Sequence, residues 1–451
     1  MLKKITWLTC ATLLCALLIA LPAAQTALAS STGTDVARIG NQTYATLAAA
    51  IDAVPAGGAE PTTITLLKNV SGGGIALFAK NPLKSIIIDF AGFTYEISDN
   101  PVGSTGYETQ AFHLEKGFTV VLKNGTITSS ANSGVVMLVQ NYCNLTLEDM
   151  VLDGSNLAGT GPYTLSLNNG TVNITGNTSI LAKKGGVAFD LYYWPKNGYT
   201  DGVQLTVNTT GTISGTIELT ADGSAGGQPE DAAEHNKLDI LNINHEGSIR
   251  NTLGSYDTDV VSISGGTFAY APTKYTGDTV VSSGNDYYVG AQANAVLSNP
   301  NTKEVTVLQA KGELTVADGI QLTNNTGRTI TVNGNSIEDK GALLIHEWEE
   351  IPAKAPTCTE AGHAAYRKCH VCGLMLDLNG NALTTVPVIA ATGHNYQNGV
   401  CTVCGAREDV PAPVTPPKTG DSAHPLLWSV LLLAALLGGG LLCTGLRKRF
   451  R

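Results

Sequence analysis

Apolar and polar residues alternate in short runs over most of the chain between residues 36 and 345. The runs carry Val, Ile or Leu at every second position and are separated by Gly, Asn and Asp, a pattern typical of half-buried β-strands joined by turns. Strands are predicted at Thr62–Val70, Ser85–Asp89, Thr119–Leu122, Val135–Val139, Leu145–Leu147, Thr164–Leu167, Val172–Thr175, Val203–Val207, Thr216–Leu219, Val260–Ile263, Val305–Leu308 and Thr329–Val332.

One segment of this region has helical spacing instead. Leu47, Ala50, Ile51 and Val54 recur three or four residues apart, and Pro55 ends the pattern. A short amphipathic helix is therefore predicted ahead of the first strand, where it would cover the end of a stack of strands. No other helix is predicted. Residues 220–237 are expected to form a protruding loop, and residues 270–301 to end or interrupt the stack.

A loose motif, in which Asn, Thr or Gly precedes Gly-Thr, recurs in the same region. Because Asn and Gly tolerate the left-handed backbone conformation, each copy predicts a bend between two strands. Repeats of this kind indicate coils of chain stacked around an inner stripe of Val, Ile and Leu. A row of small β-sandwiches is the alternative, because turn signals at this spacing suit both architectures. The copies end in Gly125-Thr126, Gly170-Thr171, Gly211-Thr212 and Gly266-Thr267.

These strands and turns resemble the right-handed parallel β-helix, the pectate-lyase-like fold found in large surface proteins of Firmicutes. The resemblance implies an all-β rod over residues 30–345, with on the order of 12 turns. Enzymes of this fold act mainly on polysaccharides. The Asp-Asp, Gly-His-Gly and Arg-x-Lys motifs of its hydrolases are absent from the sequence, so we assign no catalytic residue.

Three consecutive aromatic residues, Tyr192, Tyr193 and Trp194, are the predicted carbohydrate contact of this region. Exposed aromatic rings stack on sugar rings, whereas buried ones pack against the core, and both outcomes are open from the sequence. Composition argues against nucleic acid as a partner. The net charge is −10, only 14% of residues are charged, and no basic patch lies outside the two ends of the chain, which excludes nucleic acid.

A Cys/His-rich module is predicted at residues 346–406, where the composition changes abruptly. It contains two Cys-x-x-Cys-Gly turns, a motif that points two thiolates the same way. The module resembles a zinc ribbon, and also the Cys/His-rich repeats near the wall anchor of clostridial surface proteins. We predict a structural Zn²⁺ held by Cys369, Cys372, Cys401 and Cys404. The alternatives are sites that recruit His346, Cys358, His363 or His394, and disulfide bonds.

Both ends of the chain carry targeting signals. Lys3 and Lys4 precede an apolar run that ends near an A-x-A site, so residues 1–29 are predicted to be a secretory signal peptide. Residues 407–415 form a Pro-rich spacer, and residues 416–451 combine a short polar motif, an apolar segment at 426–446 and a basic end. The apolar segment is long enough to be a transmembrane helix.

This C-terminal pattern resembles the cell-wall sorting signal of Gram-positive surface proteins. The sorting motif consists of Pro416, Pro417, Lys418, Thr419 and Gly420, with Pro416 where the family usually has Leu. The resemblance implies that a sortase cleaves between Thr419 and Gly420 and joins the threonine to peptidoglycan. We therefore expect an exported cell-wall protein. Its expected role is a non-catalytic adhesin or rod that binds a host glycan or matrix protein. The alternative is a wall-anchored polysaccharide lyase or glycoside hydrolase.

Overall fold

The computed structural model describes residues 34–58, 60–78, 83–370 and 372–408. The predicted signal peptide, the sorting motif and the apolar segment at 426–446 lie outside these residues. The chain divides into two compact units. The first ends at Trp348 and also includes Cys369–Gly373, and the second consists of Glu349–Lys368 and the chain from Leu374 onward.

Strands dominate the first unit, as its alternating sequence predicts. They are β1 Ala37–Ile39, β2 Gln42–Tyr44, β3 Thr62–Leu66, β4 Val70–Gly72, β5 Ile75–Leu77, β6 Ser85–Asp89, β7 Thr94–Ile97, β8 Gln110–Leu114, β9 Thr119–Ser129, β10 Met137–Asn141, β11 Asn144–Gly154, β12 Tyr163–Leu167, β13 Gly170–Gly176, β14 Ser179–Ala182, β15 Val187–Tyr193, β16 Val203–Ala221, β17 Lys237–Asn251, β18 Val261–Ile263, β19 Gly265–Phe268, β20 Val280–Ser283, β21 Asp286–Gly290, β22 Glu304–Gln309, β23 Gln321–Asn324, β24 Ile330–Val332, β25 Asn335–Ile337 and β26 Ala342–Leu344.

The helices among the described residues are short. The predicted amphipathic helix is confirmed as α1, and Thr46 caps it by accepting a hydrogen bond from the amide of Ala49 at 3.0 Å. The prediction that no other helix forms is wrong, because three further α-helices occur. The α-helices are α1 Leu47–Ala53, α2 Pro229–His235, α3 Asp257–Val260 and α4 Ala291–Leu297; 3₁₀ turns lie at Lys196–Gly198, Gly223–Ala225, Gly254–Tyr256 and Thr273–Tyr275.

Parallel pairing links the strands of the first unit into three series. Along the sequence, the chain contributes a strand to each series in turn, in the same repeating order. The first series of partners is Ile64, Ile88, Leu122, Leu147, Ile174, Val207, Ile240 and Ile263. The second is Tyr95, Ile127, Leu152, Ile180, Ile213, His245 and Phe268. The third is Ile75, Phe112, Val139, Leu165, Phe189, Ile217 and Ile249.

Nearly all of these side chains are buried, so apolar residues from successive strands stack in rows that form one continuous core. Removing such a side chain from water contributes about 1.5–3 kcal/mol, which makes the rows the main source of stability. The second row includes a histidine, His245. It is fully buried, its Nε2 donates to the carbonyl oxygen of Gly215 at 2.9 Å, and burial lowers its pKa to about 4.

The long parallel ladders end where the sequence predicts, shortly before residue 270. Strand β19 pairs in parallel with β17 on one side and antiparallel with β21 on the other. Beyond it, α4 and strands β20–β23 enclose a second, smaller core that includes Leu297, Val307 and Leu322.

The second unit has little apolar core. Its strands and those that lead into it are β27 Trp348–Ile351, β28 Gly362–His363, β29 Tyr366–Cys369, β30 Met375–Asp377, β31 Ala382–Leu383, β32 Val388–Ile389, β33 Tyr396–Gln397 and β34 Val400–Cys401. Among the described residues of this unit, the buried hydrophobic side chains are Cys358, Tyr366 and Cys401. Over the two units together, no described helix is both long and apolar enough to span a bilayer.

Candidate metal centres and a ligand cavity

Four side chains of the second unit form what we call the C-terminal cluster: Cys358, His394, Cys401 and Cys404. Their ligand atoms all lie within 4.8 Å of one another. The Sγ atoms of Cys358 and Cys401 are 3.9 Å apart, and Sγ of Cys404 is 3.3 Å from Nδ1 of His394. Thiolates bound to one tetrahedral zinc are separated by about 3.8 Å, given Zn–S bonds of about 2.3 Å. This donor set could therefore hold a metal ion.

Local hydrogen bonds hold these ligands in place. The amide of Gly405 donates to the carbonyl oxygen of Cys401 at 3.0 Å, which closes the Cys-x-x-Cys turn, and Gly405 adopts a φ of 74° that favours glycine. The amide of Thr392 donates to the carbonyl oxygen of Thr357 at 3.0 Å, which ties the loop before His394 to the loop that carries Cys358.

The thiol of Cys401 has a lowered pKa, which favours the thiolate form that binds metals. Backbone amides of Cys404 and Val403 lower its pKa to about 5, because they stabilise the negative charge of the thiolate. Thiolates are the form of cysteine that binds zinc.

The other Cys-x-x-Cys turn gathers its own group, the N-terminal cluster, in the first unit: His346, Cys369 and Cys372. Nδ1 of His346 is 3.4 Å from Sγ of Cys372, and the amide of Gly373 donates to the carbonyl oxygen of Cys369 at 3.0 Å. Gly373 has a φ of 74°, the same value as Gly405. In both clusters an aromatic ring two residues after the histidine packs against the imidazole. The two Cys-x-x-Cys-Gly turns therefore fold alike, each beside a histidine that an aromatic ring covers.

Within each unit, the structure places the predicted thiolate ligands beside a histidine: Cys369 and Cys372 lie with His346, and Cys401 and Cys404 lie with Cys358 and His394. The single site with four thiolates stays a prediction. The prediction from the sequence included His346, Cys358 and His394 only as alternative ligands. The structure places His346 in the N-terminal cluster and Cys358 and His394 in the C-terminal cluster. His363 is in neither cluster. The structure forms no disulfide bond among the six described cysteines, so it does not contain the disulfide alternative that the sequence allowed for them.

The predicted aromatic contact is only partly exposed. Tyr193 is buried and stacks on the ring of His235 at a centroid distance of 5.2 Å. Tyr192 is half-buried and donates its hydroxyl to Asp222 at 2.7 Å. Trp194 remains half-exposed and lies against Tyr142 and Tyr199, at centroid distances of 6.3 and 5.7 Å.

A cavity of about 280 Å³ opens beside this aromatic group. Tyr142 belongs to both, since it lines the cavity and lies 4.4 Å from the ring of Tyr199. The remaining wall mixes apolar residues such as Phe118 and Cys143 with polar ones. The polar residues include three amide side chains and a pair of opposite charges, Lys116 and Asp201, whose Nζ and Oδ2 are 2.6 Å apart. The hydrogen bond from Lys116 is the largest effect that lowers the pKa of Asp201. The amides are Asn144, Asn169 and Gln204.

A second polar feature runs along the third series of strands, on the sheet face opposite the apolar row. Successive partners there are His113, Gln140, Ser166, Asp190, Glu218 and Arg250. Asp190 is 2% exposed and accepts hydrogen bonds from the Leu167 amide and the Ser166 hydroxyl. Burial raises its pKa to about 8, so this carboxyl group holds a proton at neutral pH.

The neighbouring Glu218 has a different environment. It accepts hydrogen bonds from Arg250 Nε at 2.8 Å and from the Tyr163 hydroxyl at 3.0 Å. Asp190 and Glu218 are 28 residues apart in the sequence and become neighbours only through the strand register, so the sequence alone does not identify them as a pair.

No protein-family model, curated protein or solved structure matches this chain.

Proposed function

We propose that this protein is a non-catalytic, surface-displayed rod that binds a glycan at the cavity beside Trp194 and Tyr199. The observation that carries the proposal is the combination of an aromatic group with a wall of amide and charged side chains. Aromatic faces stack on sugar rings, and planar polar side chains hydrogen-bond the hydroxyl groups of a sugar. A cavity of about 280 Å³ suits one or two sugar units better than a larger cofactor.

The scaffold in this proposal is a right-handed parallel β-helix. Three series of parallel partners, visited in constant order, are what a coil with three strands per turn requires. The stacked apolar rows supply the inner stripe of such a coil, and α1 covers its first turn. The β-helix holds the cavity residues on successive turns, so that Lys116, Tyr142, Asn169 and Asp201 meet although they are far apart in the sequence.

Display on the cell wall completes the proposal. The support is the sequence at the two ends, with the predicted signal peptide at residues 1–29 and the sorting motif from Pro416 to Gly420. In this scheme a sortase joins Thr419 to peptidoglycan, and the Pro-rich spacer at 407–415 separates the folded part from the wall.

The C-terminal cluster is proposed to hold a structural Zn²⁺. Cys358 and Cys401 are two of the few buried hydrophobic side chains among the described residues of the second unit, so this unit gains little from a hydrophobic core. Small modules of this kind obtain their folding free energy from the metal.

Binding without turnover is the expected result of a direct assay. The whole chain is incubated with host glycans and with matrix proteins, bound ligand is measured by biolayer interferometry, and the recovered glycan is weighed by mass spectrometry. A bound glycan of unchanged mass supports the proposal. A shortened or unsaturated product contradicts the non-catalytic role.

One observation favours a second function, glycan hydrolysis. Burial raises the pKa of Asp190 to about 8, and Asp190 is the strand partner of Glu218. Glycosidases use two neighbouring carboxyl groups as acid and base. Asp190 and Glu218 are only 2% and 7% exposed, which leaves little room for a substrate to reach them. If hydrolysis is observed, Asp190→Asn and Glu218→Gln should each abolish it.

A further inference from the structure

The N-terminal and C-terminal clusters differ by one ligand. Both contain a histidine and the two cysteines of a Cys-x-x-Cys-Gly turn, with matching hydrogen bonds and nearly equal Nδ1–Sγ distances of 3.4 and 3.3 Å. The C-terminal cluster adds Cys358, whereas the N-terminal cluster has three candidate ligands among the described residues.

This difference matters because zinc prefers four ligands. Sites with four protein ligands are structural, and sites with three leave one position for water or another small molecule. In the N-terminal cluster Cys372 is exposed and His346 is half-buried, so solvent reaches the ligand atoms. A metal ion held there can therefore complete its coordination shell from solution.

We propose that the N-terminal cluster is a second zinc site, with His346, Cys369 and Cys372 as protein ligands and an exchangeable fourth position. Water occupies that position in the absence of a competing donor. An imidazole or thiol group from a small molecule replaces the water, since both are good ligands for Zn²⁺. The proposal is independent of glycan binding, which involves residues of the cavity and none of these ligands.

Metal content and ligand type test the proposal on the intact chain. The whole chain is purified in detergent under argon, loaded with Zn²⁺, and analysed for bound zinc and by X-ray absorption spectroscopy. Two ions per chain are expected, one bound by the three thiolates of the C-terminal cluster and one by the two thiolates of the N-terminal cluster. One ion per chain with four sulfur ligands would overturn the proposal and restore the single four-thiolate site.

Cobalt makes the open position visible. In Co²⁺-loaded protein, added imidazole is expected to shift the d–d absorption bands of one of the two ions. Two matched double variants assign the effect. Cys369→Ser/Cys372→Ser should lose one ion and the response to imidazole, and Cys401→Ser/Cys404→Ser should lose the other ion and keep the response.

A response that persists in the Cys369→Ser/Cys372→Ser variant contradicts the assignment. If a double variant fails to fold, the wild-type chain still decides the question. Two bound Co²⁺ ions whose spectrum does not change with imidazole would overturn the exchangeable position.

Discussion

Individual side chains of the C-terminal cluster have consequences that can be measured one at a time. Cys358 is buried, lies 43 residues before Cys401 in the sequence, and is the fourth candidate ligand of this cluster. Cys358→Ser should weaken zinc binding by the intact chain at least tenfold, about 1.4 kcal/mol, since a hydroxyl is a poorer zinc ligand than a thiolate. Competition with a chelator measures the change.

Cys143→Ser is the matched control for that experiment. Cys143 is also buried but belongs to neither cluster, and its thiol donates to Asn141 Oδ1. Its substitution should leave zinc affinity unchanged. Equal affinity in Cys358→Ser and in the wild type would show that Cys358 is not a ligand.

Asp190 predicts an unusual dependence of stability on pH. Its folded-state pKa is raised to about 8, above the ordinary value of about 3.9, so the folded protein binds the extra proton between these values. The contribution of this group to the free energy of unfolding therefore falls as pH rises from about 4 to 8, by at most ~1.4 kcal/mol per pH unit. Denaturant unfolding of Asp190→Asn should show a smaller decline over this range than the wild type.

Asp52→Asn provides the comparison, because Asp52 is an exposed carboxylate on α1. This variant should keep the slope of the wild type. An identical slope in Asp190→Asn would mean that Asp190 is already ionised in the folded protein at low pH.

Close packing within the strands of the first unit depends on glycine at particular positions. Gly125 lies in β9, and a Cβ atom at this position would be 2.2 Å from Cβ of Phe90 and 2.6 Å from the carbonyl oxygen of Phe93. Gly125→Ala should therefore destabilise the first unit by about 1–3 kcal/mol, because the buried ring must move. Gly223→Ala, with no atom within 4 Å of its added Cβ, should have little effect. Thermal unfolding followed by circular dichroism compares the two, and equal melting temperatures would contradict the packing argument.

Strand positions were predictable because alternation along the sequence reports directly on which face is buried. The predicted strand Ser85–Asp89 is found with those bounds, and every other predicted strand overlaps an observed one. The helix α2 escaped prediction because Ala232 is its one buried side chain, so its sequence shows no apolar spacing of three or four residues. Its start was nonetheless marked by Pro229 and by a capping box between Gln228 and Asp231.

The sites were less predictable than the strands. A Cys-x-x-Cys turn is local and visible in the sequence, but the residues that complete it come from other loops. Cys358 reaches Cys401 only through the folding of the second unit, and Asp190 reaches Glu218 only through the pairing of β15 with β16. No regular spacing in the sequence identifies residues that become neighbours only after folding.

Attachment to the wall would join the C-terminal end of the processed protein covalently to peptidoglycan. If a sortase acts on the motif, protein released from cells by a muramidase should end at Thr419 and carry a peptidoglycan fragment. Mass spectrometry of the C-terminal peptide detects this. A surface-extracted protein that still contains Arg451 would instead indicate a membrane anchor. Thr419→Ala is expected to abolish wall linkage without affecting the fold of the described residues.

The proposed glycan binding depends on one part of the surface of the first unit. A glycan array is probed side by side with the wild-type chain, with Trp194→Ala, and with Tyr107→Ala. Tyr107 is 75% exposed and belongs neither to the aromatic group of Tyr142, Trp194 and Tyr199 nor to the residues that line the cavity, so it controls for the loss of any exposed aromatic ring. The wild type and Tyr107→Ala should bind the same glycans. Trp194→Ala should lose about fivefold in affinity, since stacking on an aromatic ring contributes about 1 kcal/mol. Equal binding by all three proteins, or no binding by the wild type, would contradict the proposed function.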